Sequence, residues 1–228
     1  MIRFDWRQVE SRGLADRFDG SVEDPRPWKE LVRRLSDLPS DPHGLEAACE
    51  QALRRFLEEI PTAVMASVKP CVFISHQRND ADKGERVACL VEHHAIDSWL
   101  DVHDPTLALV NQLPPNDPRR AALVAAIVEI ALLSSTHVIA LMTAYSAQSK
   151  WVPYELGRAK ARRIASPQAA IWLASGQTVA HCGDYVLLTV VTRDEPAVAR
   201  WLATAAGGGP YAAPVGTSCG THGTQALR

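Results

Sequence analysis

The order of apolar runs along this chain predicts an α/β fold: a flavodoxin-like, doubly wound sheet of five parallel strands, preceded by a small helical N-terminal extension. Three observations lead there. Short continuous apolar runs such as Cys71-Val72-Phe73-Ile74 and Thr136 to Met142 read as strands buried on both faces. Between them lie longer stretches with apolar residues at helical spacing. Before residue 66 the helical pattern stands alone.

Four Asp-Pro pairs punctuate the chain: Asp24-Pro25, Asp41-Pro42, Asp104-Pro105 and Asp117-Pro118. Asp caps a helix start and Pro is tolerated at the first helical position, so such pairs mark helix entry. After Asp24 come Trp28, Leu31, Val32 and Leu35; after Asp41 come Leu45, Cys49, Leu53, Phe56, Leu57 and Ile60. Residues 1–66 are therefore expected to be the helical extension, ended by Pro61. From residue 70 strand and helix alternate. The first strand, Cys71 to Ile74, runs into polar Ser75-His76, and a helix over 81–95 follows. Ile96 to Asp101 is the second strand, and Val102 to Pro118 a polar, Pro-rich loop. A helix over 119–134 leads to the third strand, Thr136 to Met142. The helix over 150–163 carries Arg158, Lys160, Arg162 and Arg163 at its C-terminal end, which suits the helix dipole. Ala169 to Ala174 and Tyr185 to Val191 supply the last strands, and Glu195 to Ala203 the last helix. Residues 205–228, with Gly207-Gly208-Gly209, read as a flexible tail.

Composition removes several functions. A formal charge of -2 and a pI near 6.4 exclude sequence-independent nucleic-acid binding, which needs a large basic surface. The longest apolar stretch, Ala121 to Leu133, is interrupted by Glu129 and too short to span a bilayer, and Met1 to Trp6 has no apolar signal core, so no membrane role is expected. The five cysteines are odd in number, widely spaced and without CxxC, as expected of reduced thiols in a cytoplasmic protein. There is no Walker loop, G-x-G-x-x-G, H-E-x-x-H or G-x-S-x-G, and adjacent His93-His94 cannot chelate one metal from one helix face. Neither a metal nor a resident cofactor is expected.

Doubly wound sheets bind ligands at the carboxyl ends of their strands, where the first and third strands lie side by side. Here those ends are Ser75-His76 and Thr143-Ala144-Tyr145, followed by Ser149-Lys150-Trp151-Val152-Pro153-Tyr154-Glu155. Phe73-Ile74-Ser75-His76, Trp99-Leu100-Asp101 and Ser149 to Leu156, taken together and in this order, resemble the bacterial Toll/interleukin-1 receptor (TIR) domains over residues 69–204. The resemblance implies the five-stranded fold already inferred. It also implies cleavage of the nicotinamide–ribose bond of NAD, as substrate, by an acid at Glu155, with hydrolysis to ADP-ribose or cyclisation into a signal of anti-phage defence. It implies self-assembly through TIR–TIR contacts. Some members are instead non-catalytic adaptors. The loop Leu107 to Pro118 departs from the family: it is longer and lacks the Gly of the compact assembly loop. The N-terminal helices match no family element; they are read as an element that binds a protein partner or sensor, that inhibits the domain, or that simply packs on it.

Each site residue carries a functional and a plainer reading. Glu155 is the catalytic carboxylate, with Trp151 at i−4 packing beside it; the plainer reading is an exposed acid paired with Arg158 at i+3. Ser75 is read as a contact to the adenine-side ribose or phosphates, and Phe73 as an aromatic wall or simple core. His76 is a ligand contact or a cap for the following helix, and Arg78 a phosphate contact or an exposed loop residue. Asp101 holds a ribose hydroxyl or caps a loop. Ser149 caps the helix that bears Glu155 or contacts the substrate, and Tyr145 lines the nicotinamide pocket. A nucleoside deoxyribosyltransferase, on a related sheet with a carboxylate nucleophile, is a third possibility.

Overall fold

The structure, a computed structural model, describes residues 4–12, 24–38, 44–64, 70–161 and 168–207. Expectations for Asp41-Pro42, for Arg162 and Arg163, and for the tail from residue 208 fall outside the described residues. Three helices come first: α1 (Trp6–Arg12), α2 (Arg26–Asp37) and α3 (Leu45–Ala63). The alternating part follows with β1 (Cys71–Ser75), α4 (Ala81–His93), β2 (Asp97–Trp99), α5 (Pro105–Val110), α6 (Pro118–Ser134) and β3 (His137–Met142). It closes with α7 (Trp151–Ala161), β4 (Ala169–Leu173), α8 (Val179–Cys182), β5 (Val190–Thr192) and α9 (Glu195–Ala205).

All strand pairs are parallel and the order is β2-β1-β3-β4-β5, the flavodoxin-like arrangement. The chain leaves β1 first towards β2 and later returns to its other side as β3. The carboxyl ends of β1 and β3 therefore diverge into two loops, which opens a crevice between them. β1 and β3 are buried along their whole length, as strands covered on both faces must be.

Alternation of side chains across the pleat sorts the core into two layers. Val72, Ile74, Ile139 and Leu141 meet Val87 and Val91 of α4 and Val198 and Leu202 of α9. Phe73, Val138, Ala140 and Met142 belong with α6, α7 and the N-terminal helices on the other face. The extension is thus no appendage. Helix α3 packs along α6, α2 packs on α3, and α1 bridges α2 and α5. This explains why α6 is buried continuously from Ala126 to Ser134: the sheet covers one side and α3 the other.

Several boundaries differ from the sequence reading. Pro61 does not end α3, which continues to Ala63. The Val102–Pro118 segment is not all loop. Asp104 caps α5 by accepting from Leu107 N at 2.7 Å, with Pro105 at the first helical position, so this Asp-Pro pair is a helix entry too. Asp184–Leu188 forms a 3-10 turn, which shortens the last strand to Val190–Thr192. Cys49, Cys71 and Cys182 are free and buried, and Cys219 lies outside the described residues. Among the described residues no helix is long and apolar enough to cross a membrane.

Candidate active site

Two buried polar knots fix the loops that leave β1 and β3. Asp80, fully buried, accepts from Thr143 Oγ1 at 2.5 Å and is paired with Lys83 Nζ at 2.8 Å, which ties the β1 loop to the β3 loop. Thr143 Oγ1 in turn accepts from the backbone N–H groups of Tyr145 and Ser146, and Ser146 Oγ accepts from Thr143 N at 2.7 Å. This turn delivers Ser149 to the start of α7, where its Oγ accepts from Trp151 N and Val152 N at 3.2 and 3.3 Å. The capping role expected of Ser149 is met.

From that cap, helical spacing sets Trp151 and Glu155 on one face, and both line a cleft of about 460 Å³ at the carboxyl edge of the sheet. Glu155 is only 7% exposed. Its Oε2 accepts from Ser75 Oγ at 2.5 Å, joining α7 to the end of β1. The plainer reading, a salt bridge to Arg158, is not made. Arg158 instead binds Glu129 of α6, which also accepts from Tyr154 Oη at 3.2 Å. Glu155 has no cation within salt-bridge reach among the described residues. Burial pushes its carboxyl up to about 7, the Ser75 hydroxyl opposes that shift, and the charge of Asp101 adds to it.

Phe73 is both wall and core: it is buried, lines the cleft, and stacks on Trp99 with ring centres 4.7 Å apart. Trp99 is held by its Nε1–H, which donates to Asp104 Oδ2 at 3.1 Å. His76 lines the cleft with its side chain 2% exposed, its Nε2 lying 3.4 Å from Asp101 Oδ1 without a hydrogen bond. It does not cap the next turn; Gln77 does, accepting from Asn79 N at 2.6 Å. Gly84 lets α4 approach here, since a Cβ would stand 3.1 Å from Leu100 Cδ1 and 3.5 Å from His76 Cδ2. Asp101 is half exposed at the cleft, and the cap of the following helix is Asp104.

Two expectations are corrected. Ser75 is buried and bonded to Glu155, so it stands behind the cleft rather than in it. Tyr145 does not line the cleft: the Thr143–Ser146 knot holds its backbone in a turn that leaves the ring 51% exposed. Residues not anticipated by the sequence reading complete the lining, notably Leu107 and Asn111 of α5 and Arg120, Val124 and Val128 of α6. The Asp104-Pro105 pair was the signal for the first two.

A more open hollow of about 630 Å³ between α2 and α3 is lined by Asp24, Glu30, Glu58 and Glu59, with Arg26 paired to Asp24 at 2.7 Å. None of the titratable groups that line it is buried. Among the described residues no three His, Cys, Asp or Glu side chains gather as a metal site requires. Set against known protein families, curated proteins and solved structures, the chain matches none.

The chemistry of the cleft follows from its electrostatics. A buried carboxylate with no ion-pair partner among the described residues favours positive charge on whatever occupies the space before it.

Proposed function

We propose that this chain cleaves the nicotinamide–ribose bond of NAD, hydrolysing it or cyclising the ADP-ribose product, with Glu155 as the catalytic carboxylate. The observation that carries the reading is Glu155 itself: buried, facing a cleft, and without an ion-pair partner among the described residues. A nicotinamide nucleotide brings the missing positive charge in its pyridinium ring. As the glycosidic bond breaks, that charge moves to the ribose as an oxocarbenium-like centre, and the ring leaves neutral. No general acid is required; a fixed negative charge beside the ribose is what lowers the barrier. Trp151 supplies an apolar wall, while His76 and Asp101 offer hydrogen bonds to ribose hydroxyls. The TIR-like motifs support the same reading and extend it to a cytoplasmic effector or signal generator of bacterial anti-phage defence, activated by homo-oligomeric assembly.

The test is nicotinamide release from NAD by purified, concentrated protein, with mass spectrometry of the other product. Free nicotinamide with linear or cyclic ADP-ribose is expected, and Glu155→Gln removes it. Release that persists unchanged in Glu155→Gln would refute the mechanism, and no release in any assembled state would refute the function. A second reading, a non-enzymatic TIR–TIR interaction module, draws on the exposed aromatic side chains of Tyr145, Trp151 and Tyr154. Under it, Glu155→Gln leaves self-association intact while Tyr154→Ala weakens it, as sedimentation would report.

A further inference from the structure

Adjacent arginines at the start of α6 have different fates. Arg119 is neutralised: its guanidinium pairs with Asp117 at 2.7 Å and lies 5.9 Å from the Trp6 ring centre. Arg120 is not. Its Nη2 donates to Asn111 Oδ1 at 2.8 Å and its Nη1 to Pro115 O at 3.5 Å, both neutral acceptors, while its Nε is buried with no partner. No carboxylate among the described residues pairs with it, although Asp101 and Glu155 line the same cleft. A buried N–H edge of a permanent cation left unsatisfied is costly and calls for a ligand that supplies the acceptor. Among the described residues, two of the four buried side-chain polar atoms without a hydrogen bond belong to residues lining this cleft, Arg120 Nε and His76 Nε2. Arg78, exposed after β1, brings a second cation to it and pairs with no carboxylate among the described residues.

We infer that Arg120, seconded by Arg78, forms an anion-binding subsite of this cleft that takes the phosphate groups of a nucleotide. The neutral acceptors at Asn111 and Pro115 hold the guanidinium plane in place without cancelling its charge, so the fork is preorganised for phosphate oxygens. Two arginines match the two negative charges of a diphosphate, and a space of about 460 Å³ suits a nucleotide-sized ligand. The lining thus asks for anions at the arginines and a cation at Glu155. The identity of the ligand rests on the NAD reading, whereas the subsite rests on Arg120.

Calorimetric titration of the full chain with ADP, adenosine and inorganic pyrophosphate tests it without any turnover. ADP is expected to bind at least about tenfold more tightly than adenosine or pyrophosphate. Arg120→Gln is expected to weaken ADP about tenfold while leaving adenosine unchanged, and Arg78→Gln to weaken it several-fold. Equal affinity for ADP and adenosine, pyrophosphate binding as tightly as ADP, or ADP affinity unaltered in the variants would each overturn the inference. If thermal melting shows Arg120→Gln unfolded, Arg78→Gln and the comparison of ADP with adenosine decide. Arginine-dependent ADP binding without NAD cleavage would keep the subsite and remove the enzymatic reading. NAD cleavage with an unchanged KM in Arg120→Gln would do the reverse.

Discussion

Two buried glutamates, Glu129 of α6 and Glu155 of α7, have opposite surroundings. In the seam between α6 and α7, Glu129 is 1% exposed and receives the Arg158 guanidinium and the Tyr154 hydroxyl. In the cleft, Glu155 is nearly as buried and receives one serine hydroxyl. The first is a satisfied ion pair that fastens α7 to α6. The second is a charge whose neutralisation is left to solvent protons or to a ligand. Burial alone therefore does not mark a site; burial without a counter-charge, facing open space, does.

The largest expected effect separates the two by activity. Glu155→Gln keeps the shape of the side chain and an acceptor for Ser75 but removes the charge. It should lower nicotinamide release roughly a thousandfold in a steady-state assay, near the upper range for loss of one preorganised electrostatic group. The counterpart is Glu129→Ala, which strands Arg158 and should cost about 3 kcal/mol in urea unfolding. That figure is kept at the low end for a broken buried pair because Arg158 is partly exposed. A fold that tolerates Glu129→Ala without loss would break the comparison at its structural side.

Stability should move the opposite way at Glu155. Its folded carboxyl titrates near 7, above the ordinary 4.5, so between those values the folded state holds a proton that the unfolded state has lost. Its contribution to stability is complete below about pH 4.5 and is lost as pH rises through 7, roughly 3 kcal/mol in all. Glu155→Gln should accordingly raise the unfolding free energy at pH 8 by up to that amount and leave it unchanged near pH 4. Equal gains at both pH values would contradict the assignment. The smallest effect sharpens the role of Ser75. Its hydroxyl favours the ionised form, so Ser75→Ala should move the acid limb of the pH–rate profile upward. Activity falls several-fold at pH 7 and recovers at pH 9; a loss equal at all pH values would mean mere misfolding.

What the sequence made legible was local or topological. The Ser149 cap and the Trp151–Glu155 spacing lie within one helix start, and the adjacency of β1 and β3 follows from the winding rule for parallel sheets. What it hid depends on contacts between distant segments. Ser75 reaches Glu155 across 80 residues and Glu129 meets Arg158 across 29, and nothing local announces either bond. Arg119 and Arg120 read alike in sequence, and only the folded α5–α6 corner shows that one is neutralised and the other left open. The apolar character of 121–133 is visible in the sequence, but its cause, the covering of α6 by α3, depends on a contact between distant segments.

The account stands most directly on the proton held by Glu155. Infrared difference spectra between the native chain and Glu155→Gln, collected from pH 4 to 9, isolate the carboxyl band of this one side chain. A midpoint near 7 is the predicted result. A midpoint in the ordinary carboxylate range would mean that the charge is already solvated or paired, and would contradict the account.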